Sequence, residues 1–146
     1  MRVNIGGVWK DVSAIKVNVA GTWRTVTRLR TNIAGTWKEA GTFIPPLSVT
    51  VNNDAPFGRT FGTNPVTTLT TTTLTPSGGL APFTYSWVRQ SGSGSPTTPA
   101  LASTNFTETV ADYDTKTGVF RGTVTDALGS TAYVDVTATF TNLGPA

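Results

Sequence analysis

The chain has 146 residues, of which 38% are hydrophobic and 13% charged, with a net charge of +3, and it contains neither cysteine nor histidine. Without cysteine it can form no disulfide or thiolate, and without histidine it lacks the commonest general base and metal ligand. These absences argue against metal chemistry and catalysis, so we expect no enzymatic activity, no metal site and no cofactor.

The first forty residues contain three near copies of one short motif. The copies are NIGGVWK (4–10), NVAGTWR (18–24) and NIAGTWK (32–38), so equivalent positions recur every fourteen residues. Each copy places a small pair of residues between two short β-prone runs, and two-residue loops of this kind are the strongest short-range signal for a β-hairpin. The sequence therefore predicts three hairpin repeats in residues 1–41. The predicted loops are Gly6-Gly7, Ala20-Gly21 and Ala34-Gly35, and the predicted cross-strand pairs are Asn4–Trp9, Asn18–Trp23 and Asn32–Trp37.

The repeats are small for the apolar surface they carry. An isolated hairpin is marginal in water, and a segment of forty residues seldom builds a sufficient core. We expect the three indoles to share one cluster and the remaining apolar surface to be buried against a partner. That partner is either copies of the chain, as a trimer or another closed oligomer, or another protein. The alternative is a self-contained β-domain packed on the rest of the chain.

Charge is distributed unevenly along the chain. Residues 1–40 carry seven Lys or Arg against two acids, a net +5, whereas residues 41–146 carry four against six, a net −2. A basic first segment indicates attachment to an acidic surface, and a solvated basic face is an equal alternative. Interleaved aromatic and basic residues also suit nucleic acid, but fixed spacing with glycine turns indicates packing, so we expect no nucleic-acid partner. The candidate attachment residues are Trp9, Trp23, Trp37, Arg24, Arg28 and Arg30.

Residues 2–40 resemble the tandem V-x-[VI]-x-G-x-W-K repeats of structural proteins in tailed bacteriophages. In that family the repeats lie at one end of a virion protein, beside an adhesive or Ig-like domain. The resemblance implies a virion component that is made in the host cytoplasm and has other virion proteins as partners. No run in the sequence approaches twenty apolar residues, so membrane insertion is not expected.

The segment GTFIPP (41–46) separates the repeats from the rest, because two prolines favour an extended connection, and residues 42–46 are predicted to be a linker. Residues 47–146 contain six or seven short strand-like runs with turn signals between them, which predicts an all-β sandwich. The runs are LSVTV (47–51), PVTTLTTTTLTP (65–76, anchored by Val66, Leu69 and Leu74), FTYSWV (83–88), NFTETV (105–110), and two strands within 118–140 joined at Asp126–Gly129.

A second resemblance concerns TPSGGLAPFTYSW (75–87) and FRGTVTDALGSTAYVDVTATF (120–140), which are similar to the PKD and Ig-like superfamily. The family implies that Trp87 lies in a central strand and fills the core. Phe120 stands where the family has tyrosine, and Gly122 stands where a disulfide cysteine would be. These departures favour a generic Ig-like sandwich over a strict immunoglobulin domain.

Three further stretches are candidates for binding. DYDTKTG (112–118) resembles half of a calcium loop, but it lacks the distal glutamate and flanking helices, and turn residues before a strand are the simpler interpretation. SGSGSPTTPA (91–100) is predicted to be a loop between strands, either a ligand-contacting tip or merely solvated. DAPFGRTFGTNP (54–65) brings Phe57, Arg59 and Phe61 together as a candidate surface for glycan or protein contact. The alternative is that both phenylalanines tuck under the end of the sandwich.

The leading hypothesis is a bacteriophage virion structural protein, anchored by its repeats and displaying the Ig-like domain. Within that class a capsid decoration protein that touches host surface glycans is the first choice. The alternatives are a tail or fibre-associated component involved in host adhesion, and a free carbohydrate- or protein-binding module.

Overall fold

A computed structural model describes residues 2–12, 14–26, 28–33, 35–42 and 44–145, with some strand positions in residues 2–42 described by their backbone only. The described residues form strands and turns with no helix, so the predicted all-β class is confirmed, and 58% of the chain is in strands. Within those ranges no helix is long and apolar enough to cross a membrane. The chain divides into two compact units, residues 1–46 and 47–146.

The first unit consists of three antiparallel two-stranded sheets. In chain order the strands are β1 (Arg2–Ile5), β2 (Val8–Asp11), β3 (Lys16–Val19), β4 (Thr22–Thr25), β5 (Arg28–Ile33) and β6 (Thr36–Thr42), and β1 pairs with β2, β3 with β4, and β5 with β6. The registers place opposite each other the residues that the sequence predicts, namely Asn4 and Trp9, Asn18 and Trp23, and Asn32 and Trp37. In the described ranges no strand ladder joins one two-stranded sheet to the next.

The second unit has ten strands in three sheets. They are β7 (Ser48–Val51), β8 (Phe57–Thr60), β9 (Val66–Thr67), β10 (Thr72–Ser77), β11 (Thr84–Gly92), β12 (Ser95–Pro96), β13 (Ser103–Thr104), β14 (Phe106–Glu108), β15 (Asp114–Thr125) and β16 (Thr131–Asn142). The sheet orders are β11-β15-β16-β8, β13-β10-β7 and β12-β14-β9. Neighbouring strands are antiparallel except β16 and β8, which are parallel.

All three sheets of the second unit contribute to one apolar core. Trp87 is only 2% exposed, which confirms its predicted core position, and its indole N–H donates to the carbonyl of Leu101 at 3.1 Å. The Trp87 ring meets Phe106 edge-on at 5.5 Å between centroids, and Phe106 stacks on Phe120 at 4.3 Å. The other buried hydrophobic residues are Val66, Leu74, Val110, Val124, Val136, Ala138 and Phe140.

The threonine-rich run was predicted as one strand, and this is wrong. It forms β9 and β10, which belong to different sheets, and the chain turns between them at residues 69–71. Leu69 lies in that turn and is 70% exposed, so it does not anchor a strand. The alternation of polar and apolar residues is interrupted there because the chain crosses from one sheet to another.

Three stretches that the sequence did not assign to strands also contain strand structure. Residues 91–100 include β12, which pairs with β14, and Gly94 is buried against the rings of Phe120 and Phe140. Residues 54–65 include β8, whose pairing with β16 is parallel. β15 begins at Asp114, within the stretch that the sequence assigns to a turn. Short strands in glycine- and serine-rich segments give weak signals, because their pairing is determined by distant partners.

Candidate functional site

In the second and third hairpins the asparagine side chain binds the backbone of its own turn. Gly21 and its neighbour Ala20 have φ values of 84° and 51°, which is the left-handed pair of a type I′ turn. The Gly21 backbone N–H donates to Asn18 Oδ1 at 2.9 Å, and the Gly35 N–H donates to Asn32 Oδ1 at the same distance. The repeated asparagine therefore has a role in turn geometry that the sequence analysis missed. The signal was present, because Asn followed by Gly three residues later is typical of side-chain-capped turns.

The tryptophans of the second and third hairpins point into solvent. Trp23 is 67% exposed and Trp37 is 66% exposed. The expected cluster of three indoles is therefore wrong for these two, and the side chain of Trp9 lies outside the described residues. The physical reason is that a lone two-stranded sheet has no second layer against which an indole could be buried.

Aliphatic residues on the opposite hairpin face are exposed as well. Val17 and Val19 are 46% and 49% exposed, and they lie on the face of β3 away from Trp23 because neighbouring residues of a strand point to opposite sides. In the first and third hairpins the exposed residues are Ile5, Val8 and Ile33. The second and third hairpins thus present apolar side chains on both faces, and large exposed apolar patches indicate interaction sites.

Alternation also divides the basic residues of the second hairpin between its two faces. Lys16 shares the face of Asn18 and Trp23, whereas Arg24 lies on the other face, opposite Val17. In the third hairpin, Arg30 shares the face of Asn32 and Trp37, and Arg28 lies beyond the bulge at the open end, opposite Thr42. The predicted set Arg24, Arg28 and Arg30 therefore does not form one face with the indoles.

The fourteen-residue period could have revealed this division. Two sets of basic positions repeat with the motif: Arg2, Lys16 and Arg30, and then Lys10, Arg24 and Lys38. Among the positions whose side chains the structure describes, Lys16 and Arg30 lie two residues before an asparagine and share its face, while Arg24 follows Trp23 and lies on the other face. Residues of opposite charge, Arg2 with Asp11 and Arg30 with Glu39, are opposite each other in the backbone registers of the first and third hairpins. The side chains of Arg2, Asp11 and Glu39 lie outside the described residues.

The structure brings the second predicted set together on the outer face of the four-stranded sheet. Phe57 and Arg59 flank the buried Gly58 in β8 and lie beside Thr139 and Thr141 of β16. Phe57 is 40% exposed and Phe61 is 58% exposed, so the alternative in which both rings tuck under the sheets is wrong. The Arg59 guanidinium carbon lies 5.8 Å from the centre of the Phe61 ring, within the range of a cation–π contact.

Farther along the same face lies a group that the sequence analysis missed. Arg121 donates from Nε and Nη2 to the two carboxylate oxygens of Asp135, both at 2.8 Å, and its guanidinium lies 3.8 Å from the centre of the Tyr133 ring. These hydrogen bonds lower the pKa of Asp135 and raise the pKa of Arg121, and burial opposes both shifts. The only sequence signal was the alternation that places Tyr133 and Asp135 on one face of β16.

The aspartates of the calcium-like stretch have structural partners. Asp112 accepts a hydrogen bond from the buried side chain of Asn142 at 3.0 Å, and Asp114 accepts one from the backbone N–H of Thr115 at 2.7 Å. Within the described ranges no three His, Cys, Asp or Glu side chains lie close enough together to hold a metal ion.

Comparisons of the chain with protein-family models, with curated proteins and with solved structures give no match.

Proposed function

We propose that the chain is a non-enzymatic structural protein of a tailed-bacteriophage particle, attached through the hairpins of residues 1–46 and displaying residues 47–146 as an Ig-like domain. Within that class the proposal is a capsid decoration protein, with a tail or fibre-associated component as the close alternative. The resemblance of residues 2–40 to virion repeats gives the class, and the properties of each unit support the division of roles.

The main support for the proposal is that Trp23 and Trp37 are exposed to nearly the same extent. Both indoles are about two-thirds exposed, and both stand opposite an asparagine that caps its own turn. Burying an indole contributes a few kcal/mol, so an exposed pair held at equivalent positions is a strong source of binding energy for a partner. A partner that engages the three equivalent sites in one register gains avidity, because after the first contact the others become intramolecular.

Charge supports an acidic partner surface. Lys16 and Arg30 lie on the same faces as Trp23 and Trp37, so each of these faces combines an indole with a cation. Such a combination suits an acidic surface that also has apolar grooves. Its electrostatic part weakens as salt shortens the screening length to about 3 Å at molar ionic strength, whereas the hydrophobic part does not.

The topology of the second unit supports an Ig-like sandwich. The order β11-β15-β16 corresponds to the C-F-G sheet of that fold, and β7-β10-β13 corresponds to A-B-E. β7 and β8 resemble a first strand that is divided between the two sheets, with β8 pairing in parallel with the last strand. Trp87 lies in β11, the C-like strand, where the family places its core tryptophan.

A second candidate function is a free carbohydrate- or protein-binding module. It is favoured by the exposure of Phe57, Arg59 and Phe61 at one end of the outer sheet face. Aromatic rings beside arginine are common at binding interfaces. The two functions differ in whether the chain stays with intact particles.

Co-purification tests this difference. Particles of the phage that encodes the chain are banded in a density gradient at physiological salt, and the full chain is followed by mass spectrometry. A virion component stays in the particle band at a fixed ratio to the major capsid or tail protein. Recovery of the chain only at the top of the gradient would refute the virion proposal and leave the free module.

A further inference from the structure

The group formed by Tyr133, Arg121 and Asp135 is held rigidly on the sheet. Arg121 and Asp135 are direct cross-strand partners, and their two parallel hydrogen bonds of 2.8 Å fix the plane of the guanidinium. Tyr133 lies diagonally across the strands, with its ring 3.8 Å from the guanidinium carbon. One face of the phenol ring is thus covered by Arg121, and the orientation of the ring is set before any ligand arrives.

The other face of the ring is open. Tyr133 is 60% exposed although Arg121 covers one side, so the exposed area consists of the opposite face and the rim. Around it the outward positions are hydroxyl side chains: Thr123 lies across from Tyr133, and Ser86 lies across from Thr123. The charges of Arg121 and Asp135 cancel, so the surface is polar and neutral.

This combination fits the chemistry of a sugar. The C–H face of a pyranose packs flat on an aromatic ring, and its neighbouring hydroxyl groups pair with a carboxylate as acceptor and a guanidinium as donor. Asp135 uses one lone pair on each oxygen for Arg121 and has further acceptor capacity, and Arg121 has N–H groups beyond the two that bind Asp135. A phosphate ligand requires uncompensated cations, and Arg121 beside this ring is paired with Asp135. An apolar peptide requires an extended apolar surface, whereas the outward positions beside the ring are Thr123 and Ser86, with the exposed Val88 opposite Arg121.

We propose that Tyr133, Arg121 and Asp135 form a binding site for a neutral saccharide on the outer face of the four-stranded sheet. Tyr133 supplies the stacking surface, Asp135 accepts from sugar hydroxyls, and Arg121 positions both. The site is separate from the Phe57 surface, since Thr139, the partner of Phe57, lies six residue steps along β16 from Tyr133, a distance of about 20 Å. It does not depend on residues 1–46 or on attachment to a particle.

The test is a titration of the isotopically labelled full chain, followed by amide chemical shifts. The probes are methyl α-D-mannopyranoside, methyl α-D-glucopyranoside, methyl β-D-galactopyranoside and N-acetyl-D-glucosamine. At least one of them is expected to shift the amides of Ser86, Thr123 and Tyr133 saturably at millimolar concentration. Tyr133→Ala should weaken that binding about tenfold, the effect of losing one stacked ring, whereas Tyr133→Phe should retain it.

The matched control is Tyr113→Ala, since Tyr113 is 75% exposed and lies outside this face. It should bind as the wild type does, and unchanged amide shifts elsewhere in each variant show that the fold is intact. The proposal fails if none of the four sugars gives a saturable shift at these amides, or if Tyr133→Ala binds as tightly as the wild type. It also fails if the amide shifts appear only around Phe57 and Phe61. If no sugar binds and Tyr133→Ala lowers the amount of chain recovered with particles, this face is a protein contact and the proposal fails as well.

Discussion

Trp87 and Gly122 face each other across β11 and β15, and the indole occupies the space that a side chain at Gly122 would need. A Cβ at Gly122 would lie 2.7 Å from Cζ3 of Trp87 and 2.8 Å from a methyl carbon of Leu74. This packing gives a physical reason for glycine at position 122, because the Trp87 indole and Leu74 fill the space that a side chain there would need.

Adding one methyl group at Gly122 should therefore destabilise the second unit. Gly122→Ala forces the indole or Leu74 out of position, and overpacking of this kind costs about 1–3 kcal/mol. The measurement is the free energy of unfolding from urea denaturation of the full chain. Thr123→Ala, a change at the adjacent outward-facing position, is the control and should cost less. Equal losses of unfolding free energy in the two variants would mean that Trp87 and Leu74 move aside at little cost.

Thr72 and Thr104 are cross-strand partners that differ in one respect. Both are buried, but Thr72 Oγ1 has no hydrogen-bond partner among the described residues, whereas Thr104 Oγ1 accepts from the Thr98 N–H and donates to the Asn105 carbonyl. Thr72→Val should leave stability unchanged or raise it. Thr104→Val should lower it by about 1–3 kcal/mol, because the partly buried Thr98 N–H loses its acceptor. Thermal melting of both variants checks the order, and a larger loss for Thr72→Val would contradict it.

Asn142 fixes three segments of the chain through four hydrogen bonds. Its Oδ1 accepts from the N–H groups of Gly62 and Gly144, and its Nδ2 donates to the Val110 carbonyl and the Asp112 carboxylate. Asn142→Asp keeps the acceptor but turns the donor into a carboxylate oxygen that faces two other oxygens in a fully buried position. A loss of about 3–5 kcal/mol is expected at neutral pH, as for an uncompensated buried charge.

The matched control for that substitution is Asn52→Asp. Asn52 makes the same kinds of bond, accepting from Thr73 N–H and donating to the Thr71 carbonyl, but its position is exposed. Asn52→Asp should lower the free energy of unfolding, measured by urea denaturation, by no more than about 1.5 kcal/mol. If the two variants lose similar amounts of unfolding free energy, burial of Asn142 is not the cause of the loss.

Strand pairings between neighbouring segments were predicted from the sequence, and pairings between distant segments were not. The registers of the three hairpins followed from Gly-containing two-residue loops, because a short turn fixes the register of both its strands. The core position of Trp87 followed from the resemblance of residues 75–87 and 120–140 to the PKD and Ig-like superfamily. By contrast, β8 was missed because it pairs with β16, far along the chain, and β12 was missed because it is only two residues long. No local pattern marks such short strands in segments rich in glycine, serine and proline.

The same division applies to the candidate sites. The exposure of Trp23 and Trp37 could not be predicted from the repeat. A tryptophan that packs in a cluster and one that remains exposed to solvent occupy the same position in the same sequence pattern. The contact of Arg121 with Tyr133 joins strands whose offset is set by the turn at Asp126 and by twelve paired positions. Alternation gives the face of each residue but not the diagonal neighbour.

The turn at Asp126 gives a pH-dependence with a definite sign. Burial raises the pKa of the Asp126 carboxyl, but hydrogen bonds from the backbone N–H groups of Ser130, Leu80 and Leu128 outweigh it, so the pKa is lowered. A lowered pKa means that this carboxylate stabilises the fold above the unfolded-state value of about 3.9, and that the contribution is lost as pH falls through the folded-state value. The difference in melting temperature between the wild type and Asp126→Asn should therefore be largest at neutral pH and shrink below about pH 4. Melting curves that stay parallel from pH 7 to pH 2.5 would contradict the role of this carboxylate.

Binding of the full chain to particles assembled without it tests the central claim, attachment through the exposed indoles, most directly. Co-sedimentation isotherms are compared for the wild type, for Trp23→Ser with Trp37→Ser, and for a control with Leu69→Ser and Tyr113→Ser, whose side chains are equally exposed on the second unit. The account predicts that the double tryptophan variant binds at least about a hundredfold more weakly, since each indole at an interface centre is worth 2 kcal/mol or more, and that the control binds as the wild type does. Wild-type binding by the tryptophan variant together with lost binding by the control would place the attachment on the second unit and contradict the account.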